Sequence, residues 1–293
     1  MAPCELRLSG PLVITTNGLV VEGLAIEQRA GSQQAALVCR NANNVVLRHL
    51  RVIHPATAPG IKFEGCHGIR IENVEVIATG HDGSLSPNPC RLHAPGPDCD
   101  SVHGLRSDSV RITNLRATGG SSGVQLAECR NAVLQRIAVH NVRGPYPRGQ
   151  CVQFSNSDKA VLEDFHCKNE LMASWTEDSI SAWRSSDVVI RRGLVDGNNS
   201  PTGVGINFEG SDSHTHGGLL EQVDAIRMGG GCFSGYPAQG LLMRQVQSVV
   251  VDIDRYSQGN ECMTRPSITR GLTDNWGTAR YLDAAGPVQG QPL

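Results

Sequence analysis

An imbalance of charge is the first thing this chain lacks: 26 Lys and Arg stand against 28 Asp and Glu over 293 residues, a formal charge of −2. So even a balance leaves no electrostatic footprint for nucleic acid. No segment approaches the ~20 consecutive apolar residues of a membrane span, so no membrane partner is expected either. Long helical periodicity is missing, and aromatic residues make up only 4 % of the chain. None of the 10 cysteines stands in the C-x-x-C spacing of a zinc site. The opening residues, Met1-Ala2-Pro3-Cys4-Glu5, carry no basic n-region and no apolar h-region. The expectation is a soluble protein, either cytoplasmic or secreted with its signal already removed.

What is present is a repeat. Six apolar positions with one fixed spacing recur nine times; in the third copy they are Ile61, Phe63, Ile69, Ile71, Val74 and Val76. The same offsets give Leu37, Cys39, Val45, Leu47, Leu50 and Val52 one copy earlier, and Val124, Leu126, Ala132, Leu134, Ile137 and Val139 two copies later. Self-similarity of this kind is the mark of a solenoid. Ile61 and Phe63 flank Lys62, and Ile69 and Ile71 flank Arg70, so each pair has the period of a half-buried strand. Glu64-Gly65-Cys66-His67-Gly68 between them reads as a turn. The step of three from Ile71 to Val74 reverses the inward side, as a corner does, and leads to a third short strand.

Successive copies are 22 to 30 residues apart, except for one step of 41 that contains the loop from about Ala78 to Asp100. Stacked rungs of three parallel strands make an all-β, single-domain parallel β-helix, right-handed by the bias of parallel crossovers, with nine to ten coils ~4.8 Å apart. It is expected to span residues 1–276, with 277–293 as a C-terminal tail that breaks the repeat. The 33 Gly and 15 Pro suit a fold with many corners. Cys39, Cys66, Cys129 and Cys167 fall on packing or turn columns, while Cys90 with Cys99 and Cys232 with Cys262 are placed where a disulfide could form.

In a solenoid the inward columns are occupied by packing, so chemistry is sought on the outward ones. The first-strand outward column reads Val38, Lys62, His103, Gln125, Gln153, Ser181 and Asn207; the next reads Arg40, Glu64, Leu105, Ala127, Ser155, Trp183 and Glu209. From His103 onward the first column is a ladder of hydrogen-bonding groups suited to an extended polar polymer. Three loops enter the same strand and converge on one groove: His81 to Asp100, then Arg143 to Arg148 with Tyr146, then Asn169 to Asp178. The outward residues of the other strands include Arg48, Arg51, Arg70, Glu72, Arg111, Arg116, Gln135 and Arg136, a solvated face that favours a monomer over a trimer.

The stretch Gly60-Ile-Lys-Phe-Glu-Gly-Cys-His-Gly-Ile-Arg-Ile-Glu-Asn-Val-Glu-Val76 resembles the pectate-lyase-like superfamily of right-handed parallel β-helix proteins, and the repeat that carries the resemblance covers nearly the whole chain. That superfamily includes polysaccharide lyases, polygalacturonase-like hydrolases and uronan epimerases. The resemblance implies a saccharide bound along the outward face of the first strand. It does not reach a subfamily, because the hydrolases carry Asn-Thr-Asp, Asp-Asp and Gly-His-Gly on successive coils. Here the nearest stretches, Pro97-Asp98-Cys99-Asp100 and Val102-His103-Gly104, lie in one coil.

These observations lead to an expected enzyme, a polysaccharide lyase or else a hydrolase or epimerase, acting on an extended, acidic polysaccharide in that groove. Lyase chemistry needs a base at C5 and a group to neutralise the uronate carboxylate. His103 is the candidate base, with Arg148 or Arg184 at the carboxylate and Ca2+ as a cofactor if the reaction is a lyase reaction. Hydrolysis needs two carboxylates, for which Asp100 and Asp178 are the candidates, although three coils, ~14 Å, separate them. That exceeds the ~6.5–9.5 Å of an inverting pair. Gln125, Gln153, Tyr146, Trp183, Arg184 and Glu209 are the candidate substrate contacts, Trp183 as an outward platform for a sugar ring. Glu177-Asp178 also reads as a solvated corner, and His214 with His216 as a solvated loop. Two alternatives stay open: a non-catalytic glycan-binding or phage-type surface β-helix, and a small-molecule enzyme whose loops close a pocket on the same face.

Overall fold

A computed structural model describes residues 6–79, 99–144, 149–170, 174, 176–198, 204–210, 215–228, 232–235, 240–244, 246–249, 280–283 and 286–289. Two sheets account for every strand among the described residues. The first contains β2 (Leu12–Ile14), β4 (Leu37–Arg40), β6 (Ile61–Glu64), β8 (Val102–Leu105), β10 (Val124–Ala127), β12 (Val152–Ser155), β14 (Ile180–Trp183), β16 (Ile206–Glu209) and β18 (Phe233–Ser234), stacked in that order. The second stacks β1 (Arg7–Ser9), β3 (Val20–Glu27), β5 (Val46–Pro55), β7 (Arg70–Thr79), β9 (Arg111–Thr118), β11 (Val133–His140), β13 (Val161–Lys168), β15 (Val189–Asn198) and β17 (Leu219–Met228). Beyond β17 it takes in β19 (Leu242–Arg244), β20 (Gln247–Val249), β21 (Arg280–Asp283) and β22 (Gly286–Gln289), the last pairing antiparallel.

The chain alternates between the sheets, and neighbours within each pair parallel, so this is an all-β parallel solenoid. Its regular part, β4 to β17, is seven turns of one four-residue strand and one of eight or ten residues, with shorter strands at both ends. The nine repeats read from the sequence thus comprise seven regular turns and two truncated ones. The second and third strands of each rung run on as one bent strand. The bend is a single residue of positive φ, skipped by the ladder: His49, Asn73, Asn114, Arg136, Asp164, Arg192 and Gln222 lie at φ 51 to 55. One left-handed residue is what a step of three between inward positions requires.

Burial follows the repeat. In β6, Ile61 and Phe63 are fully buried while Lys62 and Glu64 are half-exposed, and β8 and β10 repeat the pattern. The inward partner of Phe63 on β8 is Gly104, where an added Cβ would lie 2.3 Å from the Phe63 ring and 2.7 Å from Leu126. The core is continuous from Ile14 to Val246.

The cysteines are partly as expected. Cys39, Cys66 and Cys129 are buried free thiols, the first two with sulfurs 3.3 Å apart. Cys99 is also a buried free thiol, which rules out the Cys90–Cys99 pairing. The disulfide that forms instead, Cys151–Cys167, ties the start of one turn to the end of its bent strand. Cys232 is disulfide-bonded as well, and Cys90 and Cys262 lie outside the described residues.

Candidate functional site

Parallel pairing in register turns the first-strand outward column into a row. Lys62, His103, Gln125, Gln153, Ser181 and Asn207 are successive partners from β6 to β16, and Glu64, Leu105, Ala127, Ser155, Trp183 and Glu209 form the row beside it. At one strand spacing per step, Lys62 and Asn207 are ~24 Å apart. Two clusters of titratable groups stand on this face.

The first precedes and enters β8. Asp100 is 1 % exposed, and its Oδ1 accepts from Ser121 Oγ at 2.7 Å. Its Oδ2 lies 2.8 Å from His103 Nδ1. An accepting carboxylate fixes the proton on Nδ1 and leaves Nε2 of a 15 % exposed ring with its lone pair. Asp100, which could have been no more than a turn former, is a buried orienting group for His103.

The second cluster precedes β14 and extends onto β16. Asp178 is buried; its Oδ1 accepts the Val204 N–H at 2.7 Å and its Oδ2 accepts from Asn207 Nδ2 at 3.1 Å. The other amide atom of Asn207, Oδ1, is buried without a partner. Glu177 accepts from Gln150 Nε2 at 3.4 Å, and Glu209 accepts from Ser181 Oγ at 3.4 Å. Asn198 Nδ2 holds the segment down by donating to the Glu177 carbonyl at 2.6 Å.

Burial and like charge act together on these three acids. Burial, with Glu209 as the charged neighbour, pushes Glu177 up to about 7. Asp178 is also held well above the usual carboxylate range, by burial first and then by Glu177 and Glu209, and Glu209 is raised by burial. Glu177-Asp178 is therefore not a solvated corner: water is withdrawn from it, and its charge is opposed by a third carboxyl.

Asp100 and Asp178 remain apart, their strands β8 and β14 being three steps distant. The carboxylates that do come together are Glu177, Asp178 and Glu209. The sequence reading pairs Asp178 with Asp100, takes Glu209 as a sugar contact and Asn207 as a rung of the ladder, and gives no catalytic role to Glu177 or Gln150. The signal was the register itself, since Glu209 pairs with Trp183 on β14, the strand that begins two residues after Asp178. Trp183 is half-buried with the Arg184 guanidinium 5.1 Å from its ring centroid, so Arg184 covers part of the platform. Gln125 and Gln153 stand on the row as expected, Gln125 donating to Ser155 Oγ at 3.4 Å. Tyr146, Arg148, Trp175 and His214 lie outside the described residues, and His216 is exposed on a different edge.

Among the described residues no three His, Cys, Asp or Glu side chains are arranged to hold a metal ion, the acidic triplet included.

No protein-family model and no curated protein sequence matches the chain. Solved structures do. An alginate lyase from Paenibacillus sp. str. FPU-7 superposes with a TM-score of 0.54 at 9 % identity, over 89 % of this chain and 98 % of that one. What is shared is the fold, a parallel β-solenoid. PfbA, a surface adhesin of Streptococcus pneumoniae, superposes at 0.54 and 8 % identity over 94 % of this chain and 65 % of its own. The Dettilon tailspike protein does so at 0.55 and 12 %, over 90 % of this chain and 51 % of its own. At such identities the likeness speaks for the fold, and residue roles have to come from the groove itself.

Proposed function

We propose that this protein is a carbohydrate-active enzyme that hydrolyses a glycosidic bond of an extended polysaccharide lying along the first-strand row, with Glu177 as acid and Glu209 as base. The observation that carries this reading is the convergence of Glu177, the buried Asp178 and Glu209 beside the row, where burial and the Glu209 charge push Glu177 up to about 7. In the reaction, the C1–O bond breaks as Glu177 delivers its proton to the departing glycosidic oxygen. Water adds to C1 and gives its proton to Glu209. Asp178, buried and bonded to Val204 and Asn207, is a positioning residue that holds the Glu177 segment against the next turn. The row from Gln125 to Asn207, with Trp183, supplies hydrogen bonds and a ring face to the sugars on either side.

A second reading rests on the Asp100–His103 pair. His103 Nε2 could take the C5 proton of a uronate, with the neighbouring Lys62 at the carboxylate, in a lyase reaction. The test is a panel of neutral and uronic polysaccharides, with reducing ends and unsaturated ends followed in parallel. Hydrolysis predicts reducing ends without unsaturated ends, an activity reduced at least ~100-fold in Glu177→Gln and retained in His103→Ala. Unsaturated ends that vanish in His103→Ala would establish the lyase instead. Retardation in a glycan gel with no product from any substrate would overturn both and leave a binding module.

A further inference from the structure

The outer face of the second sheet, on the flank away from the row, carries cations that no acid answers. At its centre Ala138 on β11 stands between Arg116 on β9 and His166 on β13 in the ladder register. Two residues on, His140 lies beside Lys168. The Arg116 and His166 columns are two strands apart, ~9.6 Å, and the alanine methyl leaves a notch between them. A hollow of about 420 Å³ opens there, lined by Asn114, Arg116, Arg136, Ala138, Asp164 and His166 among others.

The neighbouring carboxylates are all committed elsewhere. Glu75, next to Arg116 on β7, is 3.3 Å from Arg51. Asp164 is held by Arg192 at 2.7 Å, Glu163 by Arg191 at 2.6 Å, and Asp196, next to Lys168 on β15, by Arg227 at 2.7 Å. Arg136 bonds to the amide oxygen of Asn114, not to an acid. Among the described residues the side chains of Arg116 and Lys168 have neither an ion pair nor a hydrogen bond, and the His140 and His166 rings meet edge to face at 5.7 Å. His140 is pushed below its ordinary value by burial and then by His166, Lys168 and Arg116.

We propose that this notch is an oxyanion-binding site, taking a sulfate or phosphate group, free or esterified to a saccharide, between Arg116 and His166 with Lys168 and His140 at its rim. A guanidinium presents paired N–H donors to such a group, and a tetrahedral dianion over Ala138 would meet the Arg116 and Arg136 guanidiniums and the His166 ring from three adjacent strands. Asp164 alone opposes it, and Arg192 already neutralises that carboxylate.

The test is calorimetric titration with inorganic sulfate, inorganic phosphate and a sulfated disaccharide, each at fixed ionic strength against chloride. Saturable one-site binding is expected, weakened at least tenfold in Arg116→Gln and in Ala138→Glu, with both variants retaining the wild-type melting temperature and activity on groove substrates. Tighter binding of the disaccharide than of the ions would assign the site to an esterified group, and equal binding to the free ion. Absence of saturable binding by all three probes, or binding unchanged in both variants, would overturn the proposal. Because the notch is on the other sheet, either result leaves the reading of the groove untouched.

Discussion

A carboxyl group withdrawn from water and set beside others of its kind keeps its proton to higher pH, and folding has to answer for that. Burial, with Glu209 beside it, pushes Glu177 from its ordinary 4.5 up to about 7 in the folded state. The folded state therefore binds this proton more tightly, so the stability it contributes is full below pH 4.5 and is lost as pH rises through 7. Allowing for partial solvent screening, the loss is of the order of 1–3 kcal/mol, and Asp178 adds to it with the same sign. Glu177→Gln should accordingly be more stable than wild type at pH 8 and flatten the fall between pH 5 and 8. Urea unfolding across that range checks it, and an unchanged slope would mean that Glu177 is solvated. At this scale the sequence was an incomplete guide. His103 and Asp178 were picked out by type and column, but the proximity of Asp178 to Glu209 depends on how the segment before β14 folds against the next turn. Apolar spacing carries no information about that.

At the scale of elements the repeat was close to sufficient. Inward and outward columns, the turn at Gly65 and Gly68 and the corner between Ile71 and Val74 are all where the spacing of six apolar positions put them. The spacing could not say that the corner is one left-handed residue within a continuous strand, because His49, Arg136 and Asp164 share no side-chain chemistry, only a φ of 51 to 55. Nor could it foresee Cys151–Cys167, since Cys151 lies in a loop entry that the repeat does not index. The elements also tie packing to the groove. Gly104 faces inward next to His103, and its missing side chain is space used by the Phe63 ring. Gly104→Ala should cost about 1–3 kcal/mol by overpacking and should displace His103 from Asp100. A lowered denaturant midpoint together with an altered His103 imidazole resonance is the expected outcome.

Across the whole molecule, the two sheets have separated two electrostatic characters. Along the first-strand row, a basic start at Lys62 and His103 gives way to neutral amides and then to the acids around β14 and β16. On the second sheet, arginines are mostly answered by acids, except around Ala138. A net charge of −2 conceals both patterns, which is why composition could exclude partners but not point to a site. A solenoid makes this division possible because each outward column can change chemistry turn by turn without disturbing the core. The distance between the two ends of the row also bears on mechanism, since the His103 pair and the Glu177 cluster are too far apart to serve one bond.

The most direct test of the Glu177 assignment is the pH dependence of kcat/KM on the saccharide that the panel identifies, in wild type and in Glu209→Gln supplied with azide as an external nucleophile. An acid raised by burial and by Glu209 predicts a descending alkaline limb near 7 in wild type that moves to lower pH once Glu209 is neutral. A limb that stays in place in Glu209→Gln, or turnover that survives in Glu177→Gln, would contradict it.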